Sequence, residues 1–257
     1  MTDLYAIRTN TISRLKPLAS LIREAILTRL GLRDPRHITK VAGHLLDADK
    51  DILYKYVKTL DGGSTIVEIG SFLGLSAIVM GSSNRQCRII CIDPCDLSGE
   101  EASAPTYRRD GYQGGWQFRR LRLNLVLYGV RAQIIRATSQ EVIKQFSSRC
   151  QLLFVDGDHS YEACSRDVDL YGKWLDRGGT LILHDATTAL GWPGPIKVAE
   201  QLLKHSGWKF LEEGGNCVVF KKSCLIAFWM TSRWLVLNQL SAFPVLKRSH
   251  ADCRPTV

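Results

Sequence analysis

Residues Ile66 to Ser76 read I-V-E-I-G-S-F-L-G-L-S, and this stretch decides the fold. An apolar run with one embedded acid, Ile66-Val67-Glu68-Ile69, meets Gly70 and then Gly74 where the pattern turns helical, at Leu75, Ile78 and Val79. The order is strand, glycine turn, helix. Glycines at such a turn let backbone approach a ligand closely, and the first turn of the helix offers unpaired N–H groups. The residue two before Gly70 is Glu68, so the glycine pattern of dinucleotide sites is absent.

An acid at that place also argues against a pyrophosphate, which a neighbouring carboxylate repels. A cationic ligand without phosphate, such as S-adenosylmethionine, suits the turn better; a purely structural strand-to-helix turn is the alternative. Asp93 ends a second apolar run, Cys87 to Asp93, and follows Gly70 at about the ~20-residue distance at which an acid reaches a nucleoside ribose. A turn or helix-capping acid is the other reading.

The chain has 257 residues, enough for one sizeable α/β domain with extensions, and its hydrophobic content of 45% is that of a soluble protein. The net charge of +9 sits in the flanks. Residues 1–40 carry eight Lys/Arg and three Asp/Glu, residues 221–257 six and one, and residues 41–220 are balanced at 20 and 21. A balanced centre disfavours a nucleic-acid substrate and leaves the basic ends for a membrane surface or a partner. Eight cysteines without a C-x-x-C pair read as reduced, buried thiols. The N-terminus lacks the apolar core of a secretion signal, so a cytoplasmic location is the expectation.

Along the chain, a helical period over residues 11–31 and a helix from Lys50 to Leu60 form a cap ahead of the first strand. The stretch from Pro94 to Trp116 mixes Gly111, Gly114 and Gly115 with Tyr107, Tyr112 and Trp116, the composition of a lid over an organic substrate. A helix from Phe118 to Tyr128 leads to a third strand, Ala132 to Arg136. Ala137-Thr138-Ser139-Gln140 then either faces a purine or caps the next helix.

The strand in L-L-F-V-D-G-D-H-S-Y, Leu152 to Tyr161, ends at Asp156 with Asp158 and His159 behind it. Gly178-Gly179 turns the chain into a strand, Thr180 to Leu183, that ends in His184 and Asp185. In a parallel sheet Asp156 and Asp185 meet at the rim that carries Gly70. Two carboxylates there call for a cation, such as magnesium, unless one of them faces the sulfonium or serves as a base. An unperturbed imidazole titrates near enough to neutral pH to take a proton from an alcohol, which makes His159 the candidate base; a surface loop histidine is the alternative.

At these residues the sequence resembles the class I S-adenosylmethionine-dependent methyltransferases over about residues 41–222. V-E-I-G-S-F-L-G-L-S and A-T-S-Q are similar to the cofactor motifs of catechol-type O-methyltransferases. F-V-D-G-D-H-S-Y-E with G-G-T-L-I-L-H-D is closer to the family 24 group, which includes macrolide-sugar O-methyltransferases. The resemblance implies a doubly wound, Rossmann-like seven-stranded sheet with helices on both faces and a C-terminal antiparallel hairpin. It implies that Glu68, Gly70, Phe72 and Ser76 hold the methionine part, Asp93 the ribose, and Ser139 and Gln140 the adenine. Asp156 lies beside the cofactor, Asp156 and Asp185 match metal ligands, and His159 stands at the place of the catalytic base.

One departure is Ala186, where catechol-type enzymes carry an asparagine. Either His184, Asp158 or water completes the metal shell, or no metal binds. The organisation expected is an N-terminal helical cap, 1–48, a methyltransferase domain, 49–222, and an apolar and basic extension, 223–257. The extension is too short and too interrupted to span a bilayer, and suits domain docking, a dimer contact or an anionic membrane surface. The expected activity is methyl transfer to a hydroxyl of a small molecule, a sugar or natural product, from S-adenosylmethionine, with magnesium as the metal where one is used. Nucleic-acid methylation and a non-catalytic cofactor-binding partner are the alternatives.

Overall fold

A computed structural model describes residues 17–96 and 114–223. Strand β1 (Thr65–Ile69) carries four buried residues in succession, as befits a central parallel strand covered on both faces. It lies between β2 (Arg88–Ile92) and β4 (Cys150–Val155), parallel to both. β3 (Ala132–Ile135) extends the sheet beyond β2, and β5 (Leu175–Leu183) beyond β4. The hairpin β6 (Trp208–Gly214) and β7 (Cys217–Lys222) closes it, with β7 antiparallel to β5. The order is β3-β2-β1-β4-β5-β7-β6. Succession reverses between β1 and β4, so their carboxyl ends border the crevice where doubly wound sheets bind ligands.

Side chains alternate across a strand, and here the alternation sorts two cores. Ile66, Ile89, Leu152, Ile182 and Val219 face one layer, built from α1 (residues 17–29), α2 (Asp47–Lys58), α3 (Leu75–Ser83) and α4 (Gly114–Tyr128). Val67, Ile90, Leu153, Leu181 and Val218 face the other, built mainly from α6 (Tyr161–Tyr171) and α7 (Pro193–Lys204). A single-turn helix, α5 (Ser139–Val142), follows β3.

Several boundaries differ from the sequence expectation. Helix α1 buries Leu21, Glu24, Ala25 and Thr28, while Leu18, Ile22, Ile26 and Leu30, four of the apolar residues that suggested it, are exposed. The reason is polar: Glu24 accepts the N–H groups of Thr39 and Lys40 and the hydroxyl of Tyr128, and this network fixes the inner face. Gly114, Gly115 and Trp116, expected in the lid, open α4. Gly178-Gly179, expected as a turn, lie inside β5, whose register against β4 shifts between Cys150 and Leu152. Residues 97–113 of the lid and the extension from 224 lie outside the described residues, and with them the membrane and dimer expectations. Among the described residues no helix is long and apolar enough to cross a membrane.

Candidate active site

The glycine turn is locked from both sides. Gly70 has φ 84°, and a Cβ on it would lie 2.0 Å from the carbonyl oxygen of Asp156, so a side chain is barred by backbone. Its N–H donates to Ile92 O at 2.9 Å, and Asp156 N–H donates to Ile69 O at 2.9 Å. Phe72 has φ 45° and Gly74, which precedes α3, has φ 86°. Asp93 at the tip of β2 stabilises this left-handed backbone: its Oδ2 accepts the N–H groups of Ser71 and Phe72, each at 2.8 Å. Its Oδ1 accepts Cys95 N–H at 2.7 Å and the Gln117 amide at 3.2 Å.

Glu68 does not face the cavity. It is fully buried beneath the turn, where its carboxylate accepts the hydroxyls of Ser71 and Ser76. Burial raises its pKa to about 7, against the pull of the two hydroxyls and with a push from Asp156. An acid that titrates higher in the folded chain favours folding fully below its unfolded pKa and loses that contribution as pH rises to the folded value. Wild-type stability should therefore fall between about pH 4.5 and 7, by up to roughly 3 kcal/mol from this group. Glu68→Gln should flatten that part of the profile. Thermal melts across that range check it, and an unaltered slope in the variant would remove Glu68 as its source.

Above the turn opens a cavity of about 540 Å³. The turn contributes Gly70, Phe72 and Ser76, the tips of β2 and β3 contribute Asp93, Ser139 and Gln140, and the β4 and β5 rim contributes Asp156, His159 and Asp185. Of the residues expected to hold the cofactor, the two acids or the catalytic base, Glu68 lies off this surface, as does His184, the candidate for the metal shell. Among the described residues, six aspartates line the cavity (93, 96, 156, 158, 167 and 185) against one guanidinium, that of Arg166.

Sequence reasoning missed Asp167. It sits on α6, 3% exposed, and accepts the Ser139 hydroxyl at 2.5 Å. Burial lifts its pKa to about 6. The Thr138 side chain does what the capping alternative proposed, accepting the Glu141 N–H at 3.3 Å. The four-residue motif thus caps a helix with one side chain and offers Ser139 and Gln140 to the cavity.

At the far end of the cavity two histidines thread three acids. His159 Nε2 lies 3.1 Å from Asp185 Oδ2 and 3.7 Å from Asp156 Oδ1, and its ring stacks on Trp192 with centroids 5.4 Å apart. His184 Nδ1 lies 2.9 Å from Asp156 Oδ1 and 3.3 Å from Asp185 Oδ2, while its Nε2 faces Asp49 Oδ2 at 3.2 Å. Burial works against both imidazolium charges, and the carboxylates outweigh it: His159 is raised to about 10, and His184 well above its ordinary value. Asp156 and Asp185 are lowered in turn, because the imidazoles overcome the effect of burial. Asp185 adopts φ 52°, and its carboxylate accepts the Asn216 side-chain amide from the β6–β7 turn. Asp49 and Asn216, both distant in sequence, gave no signal that could have placed them here.

A seven-stranded sheet in this order, with a cavity over the β1 and β4 tips, is the fold of the class I methyltransferases, which use S-adenosylmethionine. Residues 67–186 match the family model described as a methyltransferase domain, family 24. A relative, the uncharacterized protein R132 of Acanthamoeba polyphaga mimivirus, is 26% identical over 160 residues, 57% of this chain and 65% of the relative's length.

Among solved structures, the O-methyltransferase NovP superposes with a TM-score of 0.57 at 13% identity, covering 76% of this chain and 88% of NovP. A putative caffeoyl-CoA O-methyltransferase from Staphylococcus aureus gives 0.53 at 15% identity, covering 82% and 99%. The O-methyltransferase TomG from Streptomyces achromogenes, solved with SAM, gives 0.52 at 12% identity, covering 79% and 90%. At these identities the likeness is one of fold.

Proposed function

We propose that this chain transfers the methyl group of S-adenosylmethionine to a hydroxyl of a small molecule, a sugar or other natural product. The observation that carries the reading is the acid-lined cavity ending at His159, Asp156 and Asp185. A sulfonium and an α-ammonium are cations, and among the described residues six carboxylates against one guanidinium and the His159 imidazolium favour them over any phosphate-bearing cofactor. The names of the superposed proteins, O-methyltransferases all three, point the same way.

In this reading Gly70, Phe72 and Ser76 hold the methionine part, Glu68 supports them from beneath, Asp93 takes the ribose, and Ser139 and Gln140 take the adenine. Asp93 has two tasks, since its oxygens also pin the turn. Asp93→Ala should weaken S-adenosylhomocysteine binding by about 10-fold or more, the loss expected when charge-assisted hydrogen bonds disappear. Calorimetry reads this directly, and an unchanged dissociation constant would refute the assignment.

The acceptor hydroxyl lies between Trp192 and the cofactor. His159 Nε2 takes its proton as the oxygen bonds to the methyl carbon, and the carbon–sulfur bond breaks, leaving a neutral thioether. Positioning and exclusion of water supply most of the acceleration. The donor set fits a divalent ion, because carboxylate oxygens of Asp156 and Asp185 and Nδ1 of His184 lie within 4.8 Å of one another. Bound there, such an ion would lower the hydroxyl's pKa and neutralise the two acids. Methyl transfer from labelled cofactor to a panel of glycosides and phenols, beside the same panel of amines and nucleic acids, tests the reading. Transfer to amines or nucleic acids alone would defeat it.

A further inference from the structure

His184 stands between two different environments. On one side Nε2 faces Asp49, which is fully buried and does not line the cavity. On the other side Nδ1 faces Asp156 and Asp185, which do. Asp49 is fixed as an acceptor by backbone: its Oδ2 accepts Leu46 N–H at 2.7 Å and its Oδ1 accepts Asn216 N–H at 2.6 Å. An acceptor so anchored assigns a proton to Nε2 and turns the Nδ1 lone pair towards the two cavity acids.

Three donors then converge: one nitrogen and two oxygens. Octahedral bonds of about 2.1 Å set neighbouring donors about 3.0 Å apart. Nδ1 lies 2.9 Å and 3.3 Å from the two oxygens. Magnesium prefers an all-oxygen shell, whereas imidazole favours first-row transition ions. The other grouping around this histidine, Asp49, His184 and Cys217, is buried at all three residues and offers nothing to a substrate.

We propose that Asp49 is a positioning residue for a nitrogen-containing metal centre. It orients His184 so that Nδ1, with Asp156 and Asp185, takes a divalent ion of the manganese, iron or cobalt class in preference to magnesium. The inference rests on the proposed function only in directing the open coordination face to the acceptor. The rival occupant of the same cluster is a proton on Nδ1, an imidazolium that bridges Asp49 and Asp156 and leaves no place for an ion.

The test uses the full chain, freed of metal by a chelator and desalted. Manganese binding is followed by loss of the free-ion EPR signal with magnesium as competitor, pulsed EPR reads nitrogen coupling to the bound ion, and S-adenosylhomocysteine calorimetry runs in parallel. Expected are a single bound manganese, an affinity at least about 10-fold above that for magnesium, and a histidine nitrogen coupling that His184→Gln abolishes. Asp49→Asn removes the charged acceptor that holds the proton on Nε2; manganese affinity should fall about 10- to 100-fold with S-adenosylhomocysteine binding retained.

Manganese bound without nitrogen coupling, magnesium bound as tightly, or an Asp49→Asn variant with wild-type affinity each overturns the proposal. Absence of manganese binding overturns it too, in favour of the imidazolium bridge. Methyl transfer that survives any of these leaves the proposed function standing. Failure of the wild type to bind S-adenosylhomocysteine sinks that function and not the metal centre.

Discussion

Replacing His159 with alanine is expected to lower kcat by about 10²-fold or more while S-adenosylhomocysteine affinity stays within a few-fold of wild type. In the proposed reaction the loss falls on kcat, because Nε2 takes the acceptor's proton there and the turn assigned to the cofactor lies on other strands. Geometry supports the role through rigidity. The ring is stacked on Trp192 and its Nε2 lies 3.1 Å from Asp185 Oδ2. A Cβ on Gly194 would lie 2.1 Å from the His159 carbonyl oxygen, so helix α7 and the histidine loop pack backbone to backbone.

The pH dependence follows from the same contacts. Asp156 and Asp185 hold His159 protonated up to about 10, and only the neutral ring accepts a proton. Turnover should therefore rise with pH through that limb. A divalent ion on the two acids removes their pull and moves the limb down towards the ordinary value of about 6.5. Single-turnover rates against pH, with and without added ion, check this. A flat profile in the wild type, or a His159→Ala enzyme at full rate, would show that another group is the base.

Gly70→Ala is expected to abolish measurable cofactor binding and to lower the melting temperature. A left-handed φ costs a residue with a Cβ about 1–2 kcal/mol. Here the Cβ also meets the Asp156 carbonyl at 2.0 Å, and neither partner has room to retreat. Gly70 is bonded to Ile92 across one strand gap and Asp156 to Ile69 across the other, so relief means parting β1 from β4 at the rim of the cavity proposed for the cofactor. A smaller displacement already moves Asp156, which belongs to both the cofactor surface and the acid cluster. Calorimetry with S-adenosylhomocysteine reads the effect, with near-ultraviolet dichroism as the control for folding. Wild-type affinity in the variant would mean that the cofactor does not use this turn.

Much of this molecule is written locally. Apolar runs of four to six residues ending in glycine or aspartate read as buried parallel strands whose tips share a rim. The chain order gives strand, glycine turn and helix, and the doubly wound arrangement of the whole sheet came from the resemblance that these motifs carry. For that reason Gly70, Asp93, Asp156, His159 and Asp185 were legible as neighbours without coordinates: each ends or follows a strand. Glu68 was legible as important and not in its direction. Period 2 places it on the face turned towards Cys91 and Ser76, beneath the turn, and only the packed sheet shows that its charge never enters the cavity.

Tertiary structure alone decided which groups the rim carries from elsewhere. Asp49 arrives on a helix ahead of the sheet, Asn216 on the last hairpin, and Asp167 on the far layer, each brought in by a long-range hydrogen bond that no local pattern announces. The same holds for α1, whose buried face is set by the partners of Glu24 and not by its apolar period. Strand ends obey a short-range rule that sequence spells out. Buried polar side chains obey the demand that every donor find an acceptor, and that demand is met by whatever segment the completed fold brings near.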